Sequence, residues 1–242
     1  MPEKPSWITD IEAFLQFGRD FHRELQQVGD AIGAETSKAI DGNLSNGRKL
    51  LVSVLRHLQI NHTFQPTVQS DIGKEGLILL VAFSQGLDIV SDLIIRGYYI
   101  KACAAMRQDY EFMTRLAEVR AGLVRPGQKS NMKNAPAGNQ IFYGQLSKIV
   151  HPRTPALLLN FIEQWEDEGS GLAISHLPRS IPGLVDHLYR IHVWIVFEVT
   201  REALLLFASL YGSELHEYPR SEFEFNRAIW NLEAAGFTFD DK

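Results

Sequence analysis

Four polar residues of this sequence have types and spacings that could support chemistry. Arg107 and Glu111 are four residues apart, and Ser147 and His151 have the same spacing. Side chains four residues apart project from one face of an α-helix, so each pair could contribute jointly to a site. If the two pairs meet, Ser147 could serve as a nucleophile, with His151 as its base and Glu111 orienting that base.

The setting of Ser147 does not favour a serine hydrolase. A nucleophilic serine usually lies on a sharp turn beside oxyanion donors, and the sequence has no Gly-x-Ser-x-Gly segment. We therefore interpret the four residues first as a polar clasp between two helices, because buried charges must be paired. A ligand site is the alternative, in which Arg107 would bind a phosphate or a carboxylate through two hydrogen bonds.

Histidine and cysteine usage predicts neither a metal nor a cofactor. His187 and His192 are five residues apart, which is not the four-residue spacing of a helical zinc pair, and the sequence has neither His-Glu-x-x-His nor Glu-x-x-His. Cys103 is the single cysteine, so no disulfide can form within the chain. Its alanine neighbours indicate a buried thiol in the core.

Composition and charge are those of an ordinary globular protein. The chain has 242 residues, of which 45% are hydrophobic and 22% charged, and its formal net charge is −5. That charge argues against a general nucleic-acid binder, which usually carries a dominant basic face. Arg48, Lys49 and Arg56 do give one expected helix, at 46–61, a basic side, which we interpret as a solvated face.

A second basic segment lies in the irregular stretch 122–138, which is rich in turn-forming residues and predicts a flexible loop. Arg125 and Lys129 are candidate contacts for a ligand over which this loop could close. The run Gly127-Gln128-Lys129-Ser130 has the wrong glycine spacing for a phosphate-binding loop, and no apolar strand precedes it.

The sequence predicts a cytoplasmic protein. No apolar stretch follows the N-terminal Met1-Pro2-Glu3-Lys4-Pro5, so a secretory signal is not expected. The segments 77–95 and 184–211 are apolar enough to raise the question of a membrane, but charged residues interrupt both, and charges are costly in hydrocarbon. We expect no membrane span.

Apolar spacing predicts a single all-α domain over 1–242, a bundle of about seven helices built around a central apolar hairpin, without convincing strands. The hairpin spans Gly76–Gly122 and turns at Gly97. Its first arm is apolar on all sides between Leu77 and Phe83, which predicts a helix buried on all sides.

The other expected helices have these bounds. The first ends at Gly33 and is separated by a loop at 34–46 from the helix at 46–61; further helices are expected at 139–150, 155–166 and 182–211, with a second flexible loop near 167–181. A capping box at Ser221 predicts a last helix that ends at Gly236. In the helix at 182–211, Asp186 is expected to pair with Arg190, and Glu198 with Arg201.

The first helix has the most regular apolar pattern of the chain. Its seam recurs at alternating spacings of three and four residues, at Ile11, Phe14, Gly18, Phe21, Leu25, Val28 and Ile32. We interpret this seam as the face that packs on the bundle. A coiled coil that joins two copies into a homodimer, or binds another protein, is the alternative, although Gly18 would leave a hole in its seam.

Two segments carry a resemblance to a known family. The stretch 104–112, which contains Arg107 and Glu111, resembles the "Arg, three residues, Glu" helix of the DUF5677-like uncharacterised bacterial proteins. The stretch 143–152 is similar to the "Leu-Ser, two residues, Val-His" segment of the same family, with Ser147 and His151 at its polar positions. The resemblance implies a bacterial all-α bundle of HEPN-like type in which these four residues come together.

Several HEPN-type proteins are toxin or antiviral ribonucleases, and these carry an arginine followed four to six residues later by a histidine. Arg179 and His187 are too far apart for that pattern, and Arg190 and His192 are too close, so the resemblance does not imply ribonuclease activity here. We expect a ligand- or partner-binding protein with a role in stress, defence or regulation. A nuclease or other hydrolase that uses the four-residue cluster, and a dimeric interaction scaffold, are the alternatives.

Overall fold

A computed structural model of the chain describes residues 6–60, 71–124, 128–136, 140–151, 161, 164–167, 171–175, 177–211 and 219–239. The described residues form an all-α bundle of seven α-helices, to which one short β-hairpin is added. The helices are α1 (Ser6–Ala39), α2 (Gly42–Ile60), α3 (Asp71–Ile95), α4 (Tyr99–Arg120), α5 (Gln140–Val150), α6 (Pro182–Tyr211) and α7 (Pro219–Ala234).

Helix α6 is the most enclosed element of the bundle. From residue 191 to residue 203 every side chain is buried except Trp194 and Arg201, which are partly exposed. Helices α2, α3 and α4 all pack against it. A helix with neighbours on all sides needs apolar residues around its whole circumference, and α6 supplies them.

The predicted hairpin is confirmed, but the prediction that its first arm is buried on all sides is wrong. Helices α3 and α4 pack against each other and are joined by a turn in which Gly97 has a positive φ of 82°. One face of α3 is open to solvent, with Ile78 68% exposed and Ile89 58% exposed. Apolar residues on all sides permit a helix to be completely buried. Whether it is buried depends on the number of helices that pack around it, and α6 has more such neighbours than α3 has.

The exposure of α3 bears on the question of a membrane. Among the described residues, Gly73–Ile95 is long and apolar enough to cross a bilayer, and only 33% of its most apolar window is buried. Length and composition of this kind are also found in core helices of soluble bundles, so they are weak support for a span.

The loop predicted at 34–46 is wrong, because α1 continues past Gly33 to Ala39. Gly33 lies inside the helix, where a Cβ would come within 3.6 Å of Ile95 and 3.5 Å of Arg96 in the α3–α4 turn. These are ordinary contact distances, so the packing here leaves room for a Cβ and does not require a glycine. The connection to α2 is short, and Asp41 accepts a hydrogen bond from the Leu44 backbone N–H at 2.9 Å, which caps the new helix.

Strands occur where helix and loop were predicted. β1 (Gln164–Asp167) pairs antiparallel with β2 (Gly171–Ile174), so the predicted helix at 155–166 is wrong in its last three residues, and the predicted loop at 167–181 is partly a strand. The rest of that predicted helix, apart from residue 161, lies outside the described residues. Strands of four residues are too short for their alternation to be recognised in a sequence.

The C-terminal helices were predicted more accurately. Helix α6 has the expected bounds, and its two expected ion pairs are present, Arg190 Nε to Asp186 Oδ2 at 2.9 Å and Arg201 Nη2 to Glu198 Oε2 at 2.7 Å. The capping box is wrong, because α7 begins before Ser221 and buries this residue to 2% exposure.

The α3–α4 turn should depend on the absence of a side chain at Gly97. A Cβ there would collide with the Arg179 carbonyl oxygen, whereas a Cβ at Gly122, which also has a positive φ of 66°, would meet nothing within 4 Å. We expect Gly122→Ala to lower the free energy of unfolding by about 1 kcal/mol through backbone strain alone. Gly97→Ala should cost at least about 2 kcal/mol more, measured by denaturant unfolding; equal losses would contradict the collision.

Candidate functional site

Helices α4 and α5 bring together two of the four predicted site residues and one tyrosine. Arg107 Nη2 lies 3.0 Å from Glu111 Oε1 and donates a hydrogen bond to the Tyr143 hydroxyl at 3.1 Å. That hydroxyl donates in turn to Glu111 Oε1 at 2.9 Å. The three side chains form a closed triangle, which we call the α4–α5 clasp.

Ser147 and His151 do not complete a catalytic triad. The Ser147 hydroxyl is buried one turn beyond Tyr143 and has no hydrogen-bond partner among the described residues, so it is not bonded to His151 or to another described imidazole. His151 lies just after the end of α5 and is exposed. The bond between the two residues is a backbone one, from the His151 N–H to the Ser147 carbonyl oxygen at 3.1 Å.

The clasp lies over an aromatic layer. The Arg107 guanidinium stacks over the Tyr143 ring at 5.4 Å, and that ring lies 5.8 Å from the ring of Tyr110. The hydrogen bond to Tyr143 raises the pKa of Arg107, and the Glu111 carboxylate adds to the effect. The side chains of Arg107 and Glu111 remain 29% and 40% exposed, so the triangle is partly open to water. Its geometry is that of a helix–helix clasp.

The predicted loop at 122–138 is anchored in its described part. Glu118, which is only 3% exposed, accepts hydrogen bonds from the Asn131 backbone N–H at 2.8 Å and from the Asn134 amide at 2.9 Å. Lys129 is exposed beside this anchor, and Arg125 lies outside the described residues. Glu118 was not predicted as a key residue, because its loop partners are 13 and 16 residues away in the sequence.

Arg48 is buried, so its predicted place on a solvated basic face is wrong. It is 8% exposed and donates from Nε to His192 Nε2 at 3.1 Å and from Nη2 to the Leu87 carbonyl oxygen at 2.8 Å. A further bond joins Nη2 to Asp88 Oδ1 at 3.0 Å. Burial, and then the charge of Arg48, lower the pKa of His192 to about 3, so this imidazole is a neutral acceptor.

Two buried carboxyl groups have pKa values shifted toward neutrality. Burial raises the pKa of Asp109 to about 7, and one of its oxygens, Oδ2, has no hydrogen-bond partner. Burial also raises the pKa of Glu198 to about 6, although the nearby Arg201 partly opposes the shift. Shifted acids are common in active sites, but they also occur in cores, and Asp109 faces Gly86 of α3 across a helix–helix contact.

The other notable surface is the N-terminal part of α1, residues 11–24, which we call the arm. All fourteen of these residues are exposed, so the prediction that this part of the seam packs on the bundle is wrong. The exposed apolar side chains include Phe14 at 76%, Phe17 at 69% and Ile11 at 48%. From Leu25 onward α1 packs on the described part of the bundle. The arm's composition is visible in the sequence, but its exposure is not.

The prediction that no arginine–histidine pair has the spacing of HEPN nucleases is wrong. Arg56 and His62 are six residues apart, which falls within that pattern. Arg56 is exposed on α2, and His62 lies outside the described residues. The sequence spacing alone therefore does not exclude a nuclease.

In the described part of the chain, neither the two clefts below nor a group of metal ligands lies at the predicted site residues. A cleft of about 250 Å³ lies beside the α3–α4 turn, and another of about 210 Å³ lies between the end of α1 and the start of α6; neither is lined by clasp residues. Within the described ranges, no group of three or more histidine, cysteine or acidic residues could hold a metal ion.

Comparison with protein-family models, characterised proteins and solved structures found no match to this chain.

If the clasp is structural, its members should be energetically coupled. We expect Glu111→Ala and Tyr143→Phe each to lower the free energy of unfolding by about 0.5–1.5 kcal/mol, and the double variant to lose less than the sum. The control cycle combines Tyr143→Phe with His151→Ala, which should show no coupling because His151 is exposed. Additive losses in the first cycle would contradict the clasp.

Asp109 should make the protein less stable as the pH rises. Its carboxyl group has a pKa of about 7 in the fold against 3.8 ordinarily, so between pH 4 and 7 the unfolded chain loses this proton first. Asp109→Asn should therefore raise the free energy of unfolding at pH 8 by on the order of 2–4 kcal/mol, with the gain vanishing near pH 4. Asp186→Asn, at an exposed position, is the control; a gain independent of pH would refute this origin.

Proposed function

We propose that this protein acts as a non-catalytic interaction scaffold, which associates with a second copy of itself through the arm of α1. One observation carries the proposal: an amphipathic helix about 21 Å long stands clear of the bundle with its apolar side exposed. Large exposed apolar patches on soluble proteins mark interaction surfaces.

The arm contributes nothing to the buried core of the described residues. The buried apolar residues that form this core all come from residue 44 onward. A helix segment that is exposed along its length is only marginally stable in water. Four of its large apolar side chains are 48–76% exposed, and a second molecule that covers them would remove them from water. They are Ile11, Phe14, Leu15 and Phe17.

The charges of the arm favour a protein over a membrane or a nucleic acid. Glu12, Asp20 and Glu24 are interspersed with Arg19 and Arg23, so the polar side of the helix has both signs. Helices that lie on anionic membranes, and surfaces that bind nucleic acid, are predominantly basic. An apolar seam with mixed charge around it is typical of helix pairing, and a second copy offers the same seam.

The biological setting is proposed from the resemblance alone. We infer a cytoplasmic, HEPN-like bacterial protein with a role in stress, defence or regulation, in which a dimer would present two identical bundles to other components. Ligand binding at Arg107 is a second proposal, supported by the Nε atom of this residue, which is buried without a hydrogen-bond partner in the described part of the chain. Hydrolysis by the four-residue cluster has less support, since Ser147 lacks a bonded base.

The proposal predicts a dimer that depends on the arm. Light scattering after gel filtration should give a mass about twice the 27.4 kDa of one chain. The variant Phe14→Glu/Phe17→Glu should be monomeric with an unchanged helical content, because each glutamate would place a charge in the apolar face that the second copy covers.

A matched control exists on α7, where Phe223 and Trp230 are 63% and 73% exposed but lie outside the arm. The variant Phe223→Glu/Trp230→Glu should remain dimeric. A wild-type protein that stays monomeric at concentrations of hundreds of micromolar would refute the proposed function, and so would an arm variant that dimerises like the wild type.

A further inference from the structure

We infer that the cleft between α2 and α7 binds a small phosphate monoester with an aromatic body. The cleft has a volume of about 330 Å³, and five described side chains line it: Asn46, Lys49 and Leu50 of α2, and Arg227 and Asn231 of α7. The inference goes beyond the proposed function, because this surface lies outside the arm of α1 and is complete in a single copy of the chain.

The cleft lies beside a close approach of the two helices. A Cβ at Gly47 would come within 2.7 Å of Leu232 Cδ2, so the absence of a side chain at Gly47 lets α7 pack directly on α2. Asn46 and Asn231 adjoin these two residues in the sequence. Asn231 is also fixed by a hydrogen bond that its Nδ2 donates to the Arg227 carbonyl oxygen at 2.8 Å. Packed helices hold polar groups in place better than loops do, as a binding site requires.

The two cations of the cleft are not neutralised within the described chain. Several described arginines pair with a carboxylate, among them Arg115, Arg120 and Arg201. Lys49 and Arg227, by contrast, form no ion pair with a described residue, and both side chains are exposed. Two like charges that line one cleft repel each other, whereas an anion bound between them would be attracted by both.

Acidic side chains of α2 and α7 lie away from the cleft. Helix α2 has no aspartate or glutamate along its whole length. On α7, Glu222 and Glu233 are turned about 140° and 120° around the helix axis from Arg227, because successive residues are about 100° apart. The remaining acid of α7, Glu224, is 12% exposed and lies 3.3 Å from His57 Nδ1. The chain has a net charge of −5, so the positive charge here is a local feature.

The donors of the cleft fit a phosphate better than a carboxylate. Arg227 can donate a pair of parallel N–H bonds, Lys49 adds an ammonium, and the amides of Asn46 and Asn231 can donate as well. A carboxylate has its two oxygens in one plane, and one arginine can satisfy both. The terminal oxygens of a phosphate monoester point in three directions, and donors on both walls of a cleft can reach them. The half-buried Leu50 adds apolar surface, which strengthens charge interactions nearby.

Two exposed aromatic side chains flank Arg227 on the outer face of α7. Phe223 precedes Arg227 by four residues and Trp230 follows it by three, so all three lie on one side of the helix. The two aromatic residues are 63% and 73% exposed. Trp230 directly precedes Asn231, which lines the cleft. A flat ligand body that leaves the cleft on this side can stack on the indole ring, which is why we infer an aromatic ester.

Titration calorimetry with phenyl phosphate tests the site. We expect saturable binding to the wild-type protein and an affinity at least about tenfold weaker in Lys49→Gln/Arg227→Gln, which removes two charged donors. The matched control is Arg56→Gln/Lys133→Gln, which changes the net charge equally at exposed positions that do not line the cleft. Its affinity should stay within about twofold of the wild type, because salt screens distant charges.

Trp230→Ala should weaken the binding of phenyl phosphate severalfold and leave that of inorganic phosphate unchanged; an equal effect on both would overturn the aromatic body. No saturable binding to the wild type up to about 10 mM, or an equal loss in the two double variants, would overturn the site. Benzoate or diphenyl phosphate binding as tightly as phenyl phosphate would overturn the monoester. All these variants should keep the wild-type mass in light scattering, so a failure of this site is distinguishable from a failure of the dimer.

Discussion

The bundle depends on the burial of α6. This burial is possible because arginine side chains pair with the polar side chains that α6 buries. Glu202 is 2% exposed and receives two hydrogen bonds from Arg120, at 2.5 and 3.2 Å. Glu198 lies 2.7 Å from Arg201, and His192 accepts from Arg48. A buried carboxylate without a partner would cost several kcal/mol, so these contacts limit which helices can surround α6 and in which register.

The burial of these and other core side chains shifts their pKa values, and the shifts change the stability of the protein with pH in opposite directions. His192, with a pKa of about 3 in the fold against 6.5 ordinarily, makes the protein less stable as the pH falls from 6.5 to 3, because the unfolded chain takes up the proton first. Asp109, with its pKa raised to about 7, has the opposite effect: as the pH falls from 7 to about 4, the protein becomes more stable. The two slopes oppose each other between about pH 4 and 6.5. Glu198, whose pKa is raised to about 6, acts in the same direction as Asp109, so in this window one histidine opposes two carboxyl groups.

Local patterns in the sequence predicted the features that local geometry determines. The α3–α4 hairpin with its glycine turn, the bounds of α6, its two ion pairs and the burial of Cys103 all follow from spacings of a few residues. Which helix is central does not follow from such spacings. Helices α3 and α6 are both strongly apolar, and only the number of neighbours, which depends on contacts between distant segments, separates them. Arg48 illustrates the same limit, since its partners in α3 and α6 are about 40 and 144 residues away.

The candidate site was predictable only in part for a related reason. Arg107 and Glu111 pair within one helix, so their contact is local and follows from their spacing of four residues. Tyr143 completes the triangle from α5, at a distance in sequence that no spacing rule covers. Ser147 lies on the same helix as Tyr143, yet its hydroxyl has no hydrogen-bond partner among the described residues, and its spacing from His151 could not predict this.

Helix α1 shows how one sequence pattern can serve two surfaces. Its seam has the same spacing from Ile11 to Ile32, so the sequence cannot indicate where the supporting bundle stops. The stop is set by the α3–α4 turn, whose last contact with α1 is Tyr98 beneath Leu25 and Gly29. N-terminal to that point the residues from 11 to 24 are all exposed, while the apolar face continues. An amphipathic face that extends nearly four turns past the described core leaves apolar side chains in water, and a second copy that covers them is the neighbour that would stabilise this part of the helix.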